Sequence, residues 1–292
     1  ILVVLIFGLF EFRIHQNSLS KIPIRIHVNG SRGKSSVVRL IAAGLRSGGI
    51  KTVAKTTGTS PRIIDEFGSD KYIHRLRSAS IGEQISLIRR FSKIKPNALV
   101  IECMAVNPQY QWISEHKIVQ STIGVMTNVR PDHLDEMGIS IEQITKSMGN
   151  TIPFNGTLVT AEVKQLNLLE SIAKNRNSKF YSTSENDIDN DNISKFQYLE
   201  HKENISLAVK VCQLCGVDKD IALKGMSRCT PDPGALTMWN IKFKSNNFEF
   251  INAFAANDPA STLKTWKLIN ERLNREKFAI FLNTRLDRQY RT

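Results

Sequence analysis

Apolar residues in this chain come in short runs separated by longer amphipathic stretches. Ile24-Arg-Ile-His-Val28 is a short β-rich run that leads through Gly30-Ser-Arg-Gly-Lys-Ser-Ser36 into residues 37–46. There Val37, Val38, Leu40, Ile41 and Leu45 fall at helical spacing, and Gly48-Gly49 is the stop. Ala98-Leu-Val-Ile101 and Ser121-Thr-Ile-Gly-Val-Met126 predict strands, as do residues 158–160 and 180–181, with helices over 141–148 and 166–173. Strand and helix alternating in this way predict an α/β fold around a mostly parallel sheet. Residues 186–192 are rich in Asn and Asp and read as a loop. Pro231-Asp-Pro-Gly234 is the strongest punctuation, and a domain boundary is placed there. Beyond it, residues 241–243 and 248–254 predict the start of a second sheet, and Phe278-Ala-Ile-Phe-Leu282 a further strand. The expected organisation is therefore a hydrophobic segment (1–20), a main domain (21–234) and the beginning of a second, truncated domain (235–292).

The chain opens on ILVVLIFGLF, ten residues without a charge. That is short of the roughly 20 apolar residues of a spanning helix, but the sequence does not begin with Met. Arg13, Lys21 and Arg25 lie just after the run, and basic residues on that side hold the rest of the chain in the cytoplasm. Glu11-Phe12-Arg13 offers no small-residue cleavage site. The expectation is a cell-membrane anchor with the body on the cytoplasmic face; the alternative is a buried element opening a soluble domain.

Composition narrows the class. Of 292 residues, 41% are hydrophobic, enough for a sizeable core and too many for a disordered chain. Forty Lys and Arg against 27 Asp and Glu leave a formal charge of +13, which favours a polyanionic partner without naming one. The basic residues Arg75, Arg77, Arg89, Arg90, Lys93, Lys95, Lys264 and Lys267 do not interleave with aromatics as a stacking platform for bases would, so no nucleic-acid partner is expected. Cys212-x-x-Cys215 lies in a helical pattern ended by Gly216, and no second pair completes a zinc site; core packing is its expected role.

The chemistry concentrates where strands end. Gly30-Ser-Arg-Gly33-Lys34-Ser35 joins a strand to a helix, and a glycine turn into a helix N-terminus presents backbone N–H groups to a phosphate. Lys34 is placed to reach the β/γ-phosphates and Ser35 to offer its hydroxyl to Mg²⁺. The spacing departs from G-x-x-x-x-G-K-[ST], because Val28 stands where the first glycine belongs. Lys55-Thr-Thr-Gly-Thr59 comes after a second strand, Glu102 ends a third, and Thr127-Asn128-Val-Arg-Pro-Asp132-His133-Leu-Asp135 comes after a fourth. Strand carboxyl ends are where α/β sheets bind ligands, a strand-end carboxylate holds Mg²⁺, and His133 between two aspartates is a candidate neighbour of metal or phosphate. Their plainer readings are a Thr-rich loop, an ion-paired glutamate and a structural histidine.

Together, in this order, these motifs resemble the central ATP-binding domain of the Mur ligase superfamily, whose members form amide bonds at the expense of ATP. Val53-Ala-Lys-Thr-Thr-Gly-Thr59, Val100-Ile-Glu-Cys-Met-Ala-Val-Asn-Pro108, Thr151-Ile-Pro-Phe-Asn-Gly156, Pro231-Asp-Pro-Gly234 and Asn252-Ala-Phe-Ala-Ala-Asn-Asp258 are similar to the poly-γ-glutamate synthase ligase subunit family (PgsB/CapB). The resemblance implies a Mur-ligase-like domain followed by a Rossmann-like C-terminal domain cut short. It implies ATP with Mg²⁺ or Mn²⁺, glutamate and poly-γ-glutamate as substrates, and membrane subunits of a polymer synthase and export complex as partners. Gly30, Ser31, Arg32, Gly33, Lys34, Ser35 and Ser36 match the phosphate loop. Ser35, Thr57, Glu102 and His133 match metal-binding positions, with Lys34, Glu102 and His133 in catalytic roles. Asn128, His201, Asn204 and Arg285 fall at further nucleotide positions, His201 and Asn204 near the adenine; Asn204 as a helix cap is the plain alternative.

Three departures stand out. The family often carries Arg where this chain has Ala235, Lys146 sits at an imperfect offset for the family's carbamylated lysine, and the family's last domain continues beyond Arg291. The resemblance implies an acyl-phosphate ligase that lengthens poly-γ-glutamate. A folylpolyglutamate-like ligase and a non-catalytic nucleotide-binding assembly subunit are the alternatives.

Overall fold

In a computed structural model of the chain, residues 2–58, 60–75, 79–196, 198–233, 235–244, 246–253, 256, 259–273 and 278–281 are described. Helix α1 (Leu2–Ser20) leads to strand β1 (Ile24–Asn29), helix α2 (Lys34–Ser47) and strand β2 (Thr52–Thr56). A short meander, β3 (Arg62–Ile64) and β4 (Asp70–Tyr72), precedes α3 (Gly82–Ser92) and β5 (Ala98–Glu102). Then come α4 (Pro108–Ile113), a π-helical turn over Ser114–Val119, β6 (Ile123–Met126), α5 (Leu134–Met137), α6 (Ile141–Gly149) and β7 (Thr157–Thr160). Helix α7 (Leu166–Asn175), β8 (Lys179–Ser182), α8 (Asn190–Ser194), α9 (Lys202–Leu214) and α10 (Lys219–Ser227) complete this part of the chain.

The strands form one eight-stranded sheet in the order β4-β3-β2-β5-β1-β6-β7-β8. Every pairing from β2 to β8 is parallel, and only the β2-β3-β4 edge is antiparallel. Parallel strands are covered on both faces and so read as nearly unbroken apolar runs; all five residues of β5 are buried. One face packs Ile26, Val28, Val100 and Val125 against α2, α9 and α10. The other packs Val53, Leu99 and Ile101 against Leu87, Ile88 and Phe91 of α3, and Met126 and Leu158 against α6 and α7. Val37–Leu45 of α2 is buried residue after residue, because the helix lies between the sheet and two further helices.

The predicted loop over 186–192 instead holds a 3-10 turn at Glu185–Asp187 and the start of α8. Ser184 and Asp187 form a capping box there, the Ser184 N–H donating to the Asp187 carboxylate at 2.8 Å; short polar side chains that break long helices also start short ones. Helix α1 extends well past the ten-residue apolar run. Nineteen residues at 1.5 Å each make roughly 28 Å, and by length and composition this helix suffices to cross a membrane. Its first part is exposed, Leu2 to Phe10. Its second half docks on the body through buried Leu19, a His15 Nε2 contact to the Ile118 carbonyl at 2.8 Å, and an Arg89–Glu11 ion pair at 2.6 Å.

The chain divides into two compact units between Asp232 and Pro233. In the second, β9 (Thr237–Phe243) and β10 (Asn246–Asn252) pair as an antiparallel hairpin, and α11 spans Pro259–Leu273. The described residues 278–281 form no strand; an apolar run becomes a strand only where a neighbour satisfies its backbone.

Candidate active site

The carboxyl ends of β1, β2, β5 and β6 meet at one edge of the sheet. Asn29 ends β1 with its side chain buried: its carbonyl oxygen accepts from the Gly30 N–H (2.8 Å), and its amide donates to Gln111 Oε1 (3.0 Å) and Thr151 Oγ1 (3.1 Å). From that anchored point the chain turns through two glycines that no other residue replaces cheaply. Gly30 has φ +134° and a Cβ there would stand 2.0 Å from Thr127 Oγ1; Gly33 has φ +83° and a Cβ there would stand 2.8 Å from Asn204 Oδ1. Gly33 is also the N-cap of α2 and supplies no side-chain cap. The first-turn N–H groups and the positive end of the helix dipole are thus left for a ligand.

The loop after β6 holds this turn from behind. The Thr127 hydroxyl donates to the Arg32 carbonyl (2.6 Å), as does the Asn128 amide (3.0 Å), while Asn128 Oδ1 accepts from the Arg32 N–H (3.1 Å). Ser31 N–H donates to the Asn128 carbonyl (2.9 Å), and the Ser31 hydroxyl bridges to the Arg130 backbone. Arg32 Nη1 reaches Asp132 at 2.7 Å. On the far side, Asn204 lies against Gly33 and donates to Glu200 Oε1 at 2.8 Å. Burial raises the Glu200 carboxyl above its ordinary range, against hydrogen bonds from Asn204, the His201 N–H and Ser36. Asn204 is not the helix cap: the N-cap of α9 is His201, whose side chain makes no capping bond.

In front of the loop, Glu102 closes β5 directly beside Val28. Its Oε2 accepts from the Ser35 hydroxyl (2.8 Å) and from the Thr57 N–H (2.7 Å), so one nearly buried carboxylate joins the phosphate-loop serine to the threonine loop. Lys34 curls over the turn, its Nζ donating to the Gly30 carbonyl at 2.6 Å. Gly30, Lys34, Thr57, Glu102, Asp132 and His133 line one cleft of about 250 Å³, together with Arg75, Met137 and Met148. His133 adopts φ +45°, the left-handed region that a non-glycine residue occupies only when its surroundings hold it there. Ser35, Thr57 and Glu102 are hard oxygen donors of the kind Mg²⁺ prefers. Among the described residues no group of three or more His, Cys, Asp or Glu forms a metal cage. Mg²⁺ takes one or two carboxylates and completes its shell with water and substrate phosphate.

Lys146 lies on the exposed face of α6, paired with Glu142 at 2.6 Å, and is not among the cleft residues. Thr59, Gly234, Arg285 and Arg288 lie outside the described residues. Cys212 is buried in α9, where burial pushes its thiol up; Cys215 is pushed up to about 11 by the same cause. Neither is poised to react. Sequence reading missed a second charged cluster at the cleft. Arg75 forks onto Glu83, which also pairs with the fully buried Lys55 at 3.1 Å. Its only sequence signal was a lysine inside the apolar strand β2. Burial lowers the Lys55 ammonium, opposed by Glu83. Also missed was His27 on β1, fully buried with Nδ1 2.7 Å from Glu115 of the π-helical turn.

Residues 28–226 match the Mur ligase middle domain, and residues 238–292 match the poly-gamma-glutamate synthase CapB C-terminal domain. The chain is 39% identical to the capsule biosynthesis protein CapB of Bacillus anthracis over 292 residues, covering 99% of this chain and 63% of that protein. It is 40% identical to the PGA synthase CapB of Bacillus subtilis, covering 99% of this chain and 75% of that protein. Among solved structures, it is similar to a mutant of L. casei FPGS (TM-score 0.65, 14% identity, 91% of this chain and 76% of that one). It is also similar to a bifunctional folylpolyglutamate synthase/dihydrofolate synthase with Mn, AMPPNP and L-glutamate bound (TM-score 0.63, 13% identity, 90% and 70%). At these identities the likeness to solved structures concerns the fold.

Proposed function

Since the chain belongs to the Mur ligase family, and within it to the CapB family of poly-γ-glutamate synthases, we propose that it is an ATP-dependent amide ligase that adds glutamate to a growing poly-γ-glutamate chain. The observation that carries this reading is the joint made by Glu102: one carboxylate gathers Ser35 of the phosphate loop and Thr57 at the mouth of a cleft. In this reading residues 1–20 anchor the protein in the cell membrane with its body in the cytoplasm. Residues 21–234 bind ATP, and residues 235–292 begin the C-terminal ligase domain. Membrane subunits of a synthase and export complex are the expected partners.

When bound, ATP with Mg²⁺ (or Mn²⁺) supplies an electrophilic γ-phosphorus and neutralises its charge. The uncapped first turn of α2 and the Gly30–Gly33 backbone cradle the phosphates. Lys34 offers its ammonium to the phosphoryl oxygens, while Ser35, Thr57 and Glu102 hold the cation with His133 facing the same cleft. Ser31, Arg32, Ser36, Asn128 and Asn204 keep the loop in shape, and His201 lies on the adenine side. The terminal γ-carboxylate attacks the γ-phosphorus and the bond to ADP breaks, giving an acyl phosphate. The amine of the next glutamate attacks the acyl carbon and loses a proton as phosphate leaves. The protein's contribution is positioning and electrostatic stabilisation.

Glutamate-dependent ADP release by a full-length membrane preparation, with a search for γ-linked polymer, tests the reading. Release from the wild type and its loss in Lys34→Ala is the expected result. Near-normal turnover in Lys34→Ala sinks the assignment. Nucleotide binding without glutamate-stimulated turnover in the wild type favours the assembly-subunit reading, to which Ala235 in place of the family's arginine already points.

A further inference from the structure

Among the described residues, the cleft is lined by two permanent cations, Lys34 and Arg75. Lys34 belongs to the phosphate loop. Arg75 enters from the segment between β4 and α3, and the phosphate cradle gives it no role. Its Nε and Nη2 donate to Glu83 Oε2 and Oε1 at 2.7 and 3.1 Å. That fork uses two of a guanidinium's five N–H donors and fixes its plane. Glu83 is at the same time paired with Lys55 Nζ, whose side chain is wholly buried and whose other polar neighbour is Met104 Sδ at 3.5 Å. Two cations on one carboxylate leave a formal surplus of one positive charge. Lys55 is sealed off from solvent, whereas Arg75 is 22% exposed and reaches the cleft, so the surplus is presented there. A cleft built in this way takes two anions: a phosphate over Lys34 and a second anion against Arg75.

The identity of the second anion comes from the chemistry of the substrate, and this step rests on the ligase reading above. The last residue of a γ-linked chain carries two free carboxylates, α and γ, of similar reactivity. Only the γ-carboxylate is to be phosphorylated, so the site must hold the other one. We propose that Arg75, oriented by Glu83 and Lys55, binds the α-carboxylate of the terminal glutamate and thereby selects γ- over α-linkage. Holding one carboxylate in a fixed fork leaves the γ-carboxylate as the group that meets the γ-phosphorus.

The test uses the detergent-solubilised full-length chain and two short γ-glutamyl acceptors. One ends in glutamate; the other ends in 4-aminobutyrate, which keeps the γ-carboxylate and lacks the α-carboxylate. Acceptor binding is measured by calorimetry and turnover by ADP release. The wild type is expected to bind the glutamate-terminated acceptor roughly ten- to hundredfold more tightly, the worth of a hydrogen-bonded charge pair. Arg75→Gln should bind the two alike, Arg75→Lys should restore part of the preference, and the KM for ATP should stay unchanged in both. Equal wild-type affinity for the two acceptors overturns the assignment and needs no variant to fold. A raised KM for ATP in Arg75→Gln with acceptor preference intact also overturns it, moving Arg75 to the nucleotide. Absence of glutamate-dependent ADP release from the wild type overturns the ligase reading instead, while the binding comparison still decides the role of Arg75.

Discussion

Replacing Glu102 with Gln separates a cation-holding carboxylate from one that merely ties two loops together. The substitution keeps the volume and one oxygen acceptor, removes the charge and turns the other oxygen into an N–H donor. Oε2 receives two hydrogen bonds, from Ser35 Oγ at 2.8 Å and Thr57 N at 2.7 Å. A bond to a charged group contributes about 1.5–3 kcal/mol and a neutral one about 0.5–1.5, so the change weakens each by about 1 kcal/mol. Relief from desolvating a nearly buried charge offsets part of that loss. The net cost is about 1–2 kcal/mol, or roughly 2–8 °C in Tm for a unit of this size. The effect on the reaction is of another order. Loss of a preorganised charge at a phosphoryl-transfer centre costs roughly 10²–10³ in kcat, and Mg²⁺-dependent nucleotide binding weakens with it. Thermal unfolding without nucleotide, set beside Mg²⁺ titrations of nucleotide binding and ADP release, reads both quantities. A Glu102→Gln protein that keeps wild-type Mg²⁺ dependence and turnover refutes the metal-holding role, whatever its melting temperature.

Other perturbations test other parts of the fold. Burial opposes a charge on His27, but the neighbouring Cys103 and the Glu115 carboxylate, 2.7 Å from Nδ1, outweigh it and push the imidazole up to about 9. A folded pKa above the ordinary 6.5 contributes stability that is fully present below 6.5 and is lost as pH rises through 9. At 1.36 kcal/mol per pH unit the loss is at most about 3 kcal/mol. Denaturation midpoints should fall across that window in the wild type and stay flat in His27→Gln. Lys146→Ala removes only an exposed pair with Glu142; stability should shift by less than about 0.5 kcal/mol, and turnover should be unchanged, whereas a carbamylated lysine at the centre demands its loss. Deleting residues 2–10, the exposed apolar part of α1, should move the protein from floating with lipid vesicles to the soluble fraction; flotation of the shortened chain would count against an anchor there.

Much of the sheet was legible because its signals are local. Buried parallel strands leave unbroken apolar runs, and helices leave their spacing, so β1, α2, β5, β6, α6 and α7 could each be read within ten or so residues. The phosphate loop was legible for the same reason: Gly30, Gly33, Lys34 and Ser35 all serve one turn. The same local reading failed over residues 186–192, where polar residues cap short helices, and over the described residues 278–281, where a strand needs a partner.

The sequence by itself determined an α/β chain with a phosphate loop at one strand end, a carboxylate at another and an apolar beginning. Only the tertiary structure decided how those ends meet. Strand order places β5 and β2 next to one another and β1 between β5 and β6, and that order brings Glu102 to Ser35 across 67 residues and Arg32 to Asp132 across 100. It joined Asn128 to the Arg32 backbone and set Asn204 against Gly33, and it brought Lys55 and Glu83 to Arg75 at the cleft. None of these contacts has a period or a spacing, because each is made by side chains on different elements. Burying their polar groups is tolerable only where all the partners arrive together, and that meeting is a property of the packed sheet.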